Sequence, residues 1–175
     1  MDFYEVLEKR QSVRFFEAKP VEEGKLQRIL EAARLAPSGN NRQAYKLIVV
    51  RDAKVRQALS DAADQPFVAK AAVIIIAVGL DPQRLMFCGI PADPVDCAIA
   101  LEHVALAATA EGLGGCWIGH FNQAACCNIL GIPQNARIIE MYVMGYPAEQ
   151  PSRKPRKAIH KVVSFDQFQD GCATC

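Results

Sequence analysis

The chain has almost no excess charge of either sign. Its 20 Lys and Arg stand against 19 Asp and Glu, a net +1 with histidines neutral. That balance argues against a nucleic-acid surface, which needs a clear surplus of cations. Half of the residues are apolar, which argues against disorder. Long hydrophobic runs are also missing. The longest apolar stretch, Ala71 to Leu80, has the length of a strand and falls far short of the ~18 residues of a membrane span. The opening residues Met1-Asp2-Phe3-Tyr4-Glu5 lack the basic and apolar regions of a secretion signal, so a soluble cytoplasmic protein is expected. There are only three histidines, and HExxH, GxSxG and the P-loop are all absent. His103 reads as a packed helix residue, His120 as a loop residue and His160 as surface.

Cysteine is the exception to this scarcity, with seven residues. The number is odd and no export signal accompanies it, so a disulfide framework is not expected. Cys172 and Cys175 form a CxxC at the chain end, where a frayed tail is the plainer reading than a metal or redox site. No metal site is expected.

Two basic clusters lie near the two ends of this nearly neutral chain. One is Lys9-Arg10-Gln11-Ser12-Val13-Arg14, the other Arg153-Lys154-Pro155-Arg156-Lys157. A shared anion accounts for such a distribution, and the planar arginine fork suits phosphate oxygens.

Between the clusters the pattern is that of one α+β domain over residues 1–175, with about 158–175 as a C-terminal extension. Asp2 and Glu5 make a capping-box start to a first helix. A second helix runs from about Glu22 to Ala36 with Leu26, Ile29, Leu30 and Ala33 as its apolar stripe. A polar loop, Ser38 to Gln43, leads to a strand at Lys46–Arg51. Asp52 caps a helix to about Ala63. Ala71–Gly79 is apolar and β-branched throughout, as in a strand buried on both faces. Asp93 as N-cap and Pro94 at the first helical position begin the longest helix, which is apolar nearly all round to Glu111. The glycines Gly112, Gly114 and Gly115 read as a turn. A short helix follows at Gln123–Leu130, then a strand at Arg137–Gly145. Ala158–Phe168 reads as a closing extended segment.

No acid–base pair or activated nucleophile stands out. The run Gly112-Leu113-Gly114-Gly115-Cys116-Trp117-Ile118-Gly119 fails as a dinucleotide fingerprint, because Trp117 stands where a glycine is required and the run follows a helix. A site of this kind suits a cofactor that carries its own chemistry, with flavin the leading case. Flavin mononucleotide (FMN) needs phosphate cations, polar groups along its ribityl chain and donors near its ring. The arginines, the Ser38–Gln43 loop and the Gly114–Gly115 backbone are candidates for these parts.

Five landmarks in order resemble the nitroreductase family of flavin enzymes. They are Arg10-x-Ser12-x-Arg14, Pro37-Ser38-Gly39-Asn40-Asn41-Arg42-Gln43, the stretch from Asp96 to Gly119, Leu130-Gly131-Ile132-Pro133 with Gly145-Tyr146-Pro147, and Lys154-x-Arg156. Ala44-Tyr45 departs from the family's Pro-Trp. The resemblance implies a mixed or antiparallel sheet flanked by helices, a long buried central helix, and a C-terminal arm exchanged in a homodimer. It implies that Arg10, Ser12, Arg14, Lys154 and Arg156 bind the FMN phosphate and neighbouring atoms. Pro37, Ser38, Asn41 and Gln43 would approach the flavin, some of them from the partner subunit, and Gly114 and Gly115 would lie near the ring. It implies a hydride passing from NAD(P)H to flavin and electrons then passing to a quinone, nitroaromatic or similar small acceptor. The alternatives are a flavin-binding sensor without turnover, another reductive chemistry such as dehalogenation, and a cysteine module built on Cys172 and Cys175. Fold alone does not choose among them.

Overall fold

The computed structural model describes residues 1–149, 151–152 and 154–169. Helix α1 (Phe3–Lys9) starts at the expected capping box: the Glu5 amide donates to Asp2 Oδ1 at 2.9 Å and the Asp2 amide to Glu5 Oε2 at 3.0 Å. Helix α2 (Glu23–Arg34) and a one-turn 3-10 helix (Gly39–Asn41) precede strand β1 (Tyr45–Val50). Then come α3 (Ala53–Ala63), the short α4 (Phe67–Lys70), β2 (Val73–Gly79), α5 (Ala92–Ala110), β3 (Gly114–Ile118), α6 (Gln123–Leu130) and β4 (Arg137–Gly145).

The four strands form one sheet in the order β1-β2-β4-β3, and all its pairings are antiparallel. Strand β2 is central and buried along its whole length, as its unbroken apolar run predicts. Its alternation divides the core. Val73, Ile75 and Ala77 pack with Ile29 of α2 and with Leu101 and Val104 of α5, whereas Ile74, Ile76 and Val78 pack with Leu59 of α3 and Cys126 of α6. Ile74, Ile75 and Ile76 are 0 % exposed, each a contribution of roughly 1.5–3 kcal/mol. Helix α5 lies against β2, β3 and β4 on one side and α2 and α1 on the other, which explains why no polar face interrupts it.

Three expectations are corrected. Gly114 and Gly115 begin a strand rather than a turn. Glycine is disfavoured in strands, but here the missing side chains make room for neighbours. A Cβ on Gly114 would lie 2.5 Å from Val13 Cγ2, and one on Gly115 would enter the ring of Tyr142. Helix α5 begins at Ala92, with Pro91 in the cap position, so Asp93 is not its cap. Asp93 is 2 % exposed and accepts instead from the Asp81 amide at 3.0 Å. Ala158–Phe168 is not extended either: it holds a 3-10 turn at Ile159–Lys161, and Ile159, Val162, Phe165 and Phe168 are all exposed.

Candidate functional site

Segment 10–14 leaves α1 and runs beside β3. Ser12 and Gly115 form a parallel bridge, and the Val13 amide donates to the Gly115 carbonyl at 2.8 Å. This contact fixes the first basic cluster against the sheet. The second cluster returns to it from the far end of the chain. With its amide nitrogen turned toward the carbonyls, Gln11 donates to Pro151 at 3.0 Å and to Ser152 at 3.1 Å. Between the two segments lies a cavity of about 230 Å³ with Arg10, Ser12, Lys154 and Arg156 on its wall. Three cations and a hydroxyl outweigh the single carboxylate, Glu8, around this small hollow, which gives it the chemistry of a phosphate site. They fit the terminal phosphate of FMN.

Two neighbours of the cavity went unread in the sequence, Gln11 and Glu102. Glu102, on the middle of α5, stands 4.0 Å from the Arg10 guanidinium. Burial pushes its carboxyl above the usual range, while Arg10 and a hydrogen bond from Trp117 draw it back. An acid inside the apolar run of α5 was the available signal, since an acid on a buried helix needs a partner.

The other expected residues are distributed differently. Arg14 is exposed and off the cavity wall, with its guanidinium 5.8 Å above the Phe67 ring. Lys9 lines a neighbouring hollow of about 430 Å³ rather than this one. Gly114 and Gly115 are buried in the ladder between β3 and β4, with Val13 and Tyr142 filling the space beside them. Exposed residues flank the strand on both sides, Gly112 before it and Gly119 and His120 after it, and Gly114 borders the same hollow as Lys9. His103 is half-buried with Nδ1 2.8 Å from the Ile99 carbonyl. Arg153, Cys172 and Cys175 lie outside the described residues.

None of Pro37, Ser38, Asn41 and Gln43 lines the cavity. Their loop feeds β1, whereas Ser12 is bridged to Gly115 of β3. These strands are the two edges of the sheet, three strand spacings or ~14 Å apart. They also stand at opposite ends of the sheet. Tyr45 pairs with Gly79, itself opposite Arg137 at the start of β4, while Gly115 pairs with Met144 near its end. The loop is strained and held. Asn40, Asn41 and Gln43 have φ of 55°, 54° and 52°. The Gln43 amide donates to Ser38 Oγ at 2.9 Å, and the Gly39 amide to Asp96 Oδ1 at 2.9 Å.

Comparison with known proteins bears on the family and the fold. The sequence model of the Nitroreductase family matches residues 7–73 and 60–146. The NADPH-flavin oxidoreductase of Vibrio harveyi is 31% identical over 172 residues, covering 91% of this chain and 71% of its own. The crystal structure of a nitroreductase family protein from Clostridium difficile 630 superposes with a TM-score of 0.87 at 31% identity, over 96% of this chain and 100% of that one. An FMN-dependent nitroreductase from Clostridium difficile R20291 superposes with a TM-score of 0.80 at 26% identity, over 93% and 98%. The edge-strand bridge, the long buried helix and the two basic ends thus occur in a chain that belongs to the nitroreductase family.

Proposed function

We propose that this protein is an FMN-dependent oxidoreductase that takes a hydride from NADH or NADPH and passes the electrons to a small acceptor such as a quinone or nitroaromatic. The observation that carries the reading is the meeting of Arg10 and Ser12 with Lys154 and Arg156 around one cavity. The names of the relatives, an NADPH-flavin oxidoreductase and an FMN-dependent nitroreductase, support it.

FMN, when bound, supplies hydride acceptance and release at its ring. The protein's part is placement and charge. Arg10, Lys154 and Arg156 hold the phosphate, and Ser12 adds a hydrogen bond. Glu102 keeps the Arg10 side chain turned toward the cavity. No residue is needed as a general base, in keeping with a site that carries no acid–base pair. Arg14, exposed one residue beyond the buried Val13, would leave the Phe67 ring to reach the flavin ring edge and stabilise negative charge there.

The working unit in this reading is a homodimer. The loop with Pro37, Ser38, Asn41 and Gln43 stands at the sheet edge opposite the phosphate cavity, so it serves the flavin of a second copy. The exposed Val162, Phe165 and Phe168 supply an apolar surface for that copy. We also place the protein in the cytoplasm. Among the described residues five cysteines are unpaired, as a reducing compartment allows. No described helix is long and apolar enough to cross a membrane.

The test is direct. The purified protein is expected to be yellow, to release FMN rather than FAD on heating, to bleach with NADH or NADPH, and to scatter light as a dimer. Recovery of FAD, or no flavin after reconstitution, would refute the reading.

A further inference from the structure

Asp96 stands away from the phosphate cavity, on the second turn of α5, and is only 3 % exposed. Its two oxygens reach two different loops. Oδ1 accepts from the Gly39 amide at 2.9 Å, and Oδ2 accepts from Arg84 Nη2 at 2.5 Å. Gly39 opens the turn that ends at Gln43. Arg84 lies at the base of the loop between β2 and α5, and its side chain is 12 % exposed. That base is tied further: the Arg84 amide donates to the Asp81 carbonyl, and the Ala92 amide to the Arg84 carbonyl, both at 3.0 Å.

The loop after Gly39 needs such a tether. Three of its residues, Asn40, Asn41 and Gln43, hold the left-handed backbone that side-chain-bearing residues adopt at a cost. Its internal bonds, from the Gln43 amide to Ser38 Oγ and from Gln43 Nε2 to the Asn41 carbonyl at 3.2 Å, are exposed to competing water. The bonds to Asp96 are charge-assisted and sheltered, so they are the stronger restraint. Strain held by a buried clamp is a sign of a loop kept in one shape for use.

We infer that Asp96 is a positioning residue for the flavin site: it locks the Ser38–Gln43 loop to the Arg84 loop and holds the strained turn in the shape that meets the flavin of a second copy. This inference rests on the proposed function. Asp96 does not touch the cofactor in this account and acts only through Gly39 and Arg84.

The experiment is FMN release from the purified protein, read by flavin fluorescence on dilution. Asp96→Asn keeps an acceptor for Gly39 but sets amide hydrogens against the Arg84 fork, and about tenfold weaker FMN binding is expected. Gly39→Ala leaves no buried charge behind, so it serves even where Asp96→Asn does not fold. Its added methyl would sit 3.3 Å from Arg84 Nη1 and crowd the clamp, and a loss of about fivefold is expected. Mixed dimers separate positioning from general damage. With Arg10→Ala on one copy and Asp96→Asn on the other, both lesions fall on one flavin, and one tight site per dimer is expected. With both changes on one copy, no tight site is expected. Wild-type affinity in folded Asp96→Asn or Gly39→Ala protein overturns the clamp, as does the reverse pattern in the mixed dimers. A wild-type protein that binds no FMN overturns the proposed function itself.

Discussion

Ser12 and Gly115 face each other across a parallel bridge, and the next residue, Val13, both donates to the Gly115 carbonyl and fills the space beside Gly114. One short contact thus sets the height of the N-terminal cations over the sheet. Val13 can sit there because Gly114 has no side chain: a Cβ at that position would lie 2.5 Å from Val13 Cγ2.

Arg10→Ala and Arg156→Ala are each expected to weaken FMN binding about ten- to a hundred-fold, the worth of a charged hydrogen bond of about 1.5–3 kcal/mol. Lys9→Ala, whose side chain lines the neighbouring hollow, should do much less. Fluorescence titration measures all three. Equal losses would mean that the clusters act only as diffuse surface charge.

Gly115→Ala should destabilise the fold by about 1–3 kcal/mol, because the new methyl enters the Tyr142 ring. Denaturant unfolding gives the value. Tyr142→Leu in the same chain removes the clash, so the double variant should lose less than the two single losses added. Strict additivity would show that the two residues do not press on each other.

His103→Ala and His120→Ala are expected to keep flavin reduction within about ten-fold of wild type, roughly 1.4 kcal/mol of barrier. His103 is engaged with the Ile99 carbonyl, and the exposed His120 accepts through its own carbonyl from Gln65 at 3.2 Å. Stopped-flow bleaching by NADH or NADPH reads the rate. A thousand-fold loss with flavin still bound would reveal an acid–base step.

Burial pushes the Cys97 thiol up from its ordinary value near 9 to about 12. The folded state therefore keeps a proton that the unfolded chain releases above pH 9. Stability is full below that pH and falls as pH rises from 9 toward 12. Unfolding measured at pH 8 and at pH 10.5 should show the drop, and Cys97→Ala should flatten it. An equal slope in the variant would assign the loss to other groups, Cys126 among them, whose thiol burial raises to about 11.

Much of this architecture could be read before any coordinates. The run Val73–Gly79 has no polar residue, and only a strand covered on both faces accommodates that composition in so short a span. That Arg10, Lys154 and Arg156 come together could be anticipated because charge concentrated at two ends of a neutral chain suggests a common partner. Strand β3 was hidden, because Gly-Gly is a turn signal unless the neighbours that replace the side chains are known, and Val13 and Tyr142 are far away in sequence. The role of Asp96 was hidden for a similar reason: its partners Gly39 and Arg84 belong to two separate loops. Arg14 shows the limit of motif spacing. It sits two residues past Ser12 on an extended segment, yet its side chain lies over Phe67 rather than on the cavity wall.

The cavity is closed by contacts between the most distant parts of the chain. Ser12 meets Gly115 some hundred residues on, and Gln11 meets Pro151 and Ser152 beyond that. Closing loops of this length is slow, and it follows the local pairing of β3 with β4. In a growing chain the walls of this cavity therefore come together only after Arg156 has been made. In the proposed function, a chain cut before Lys154 is expected to lack two of the three cations that would hold the FMN phosphate.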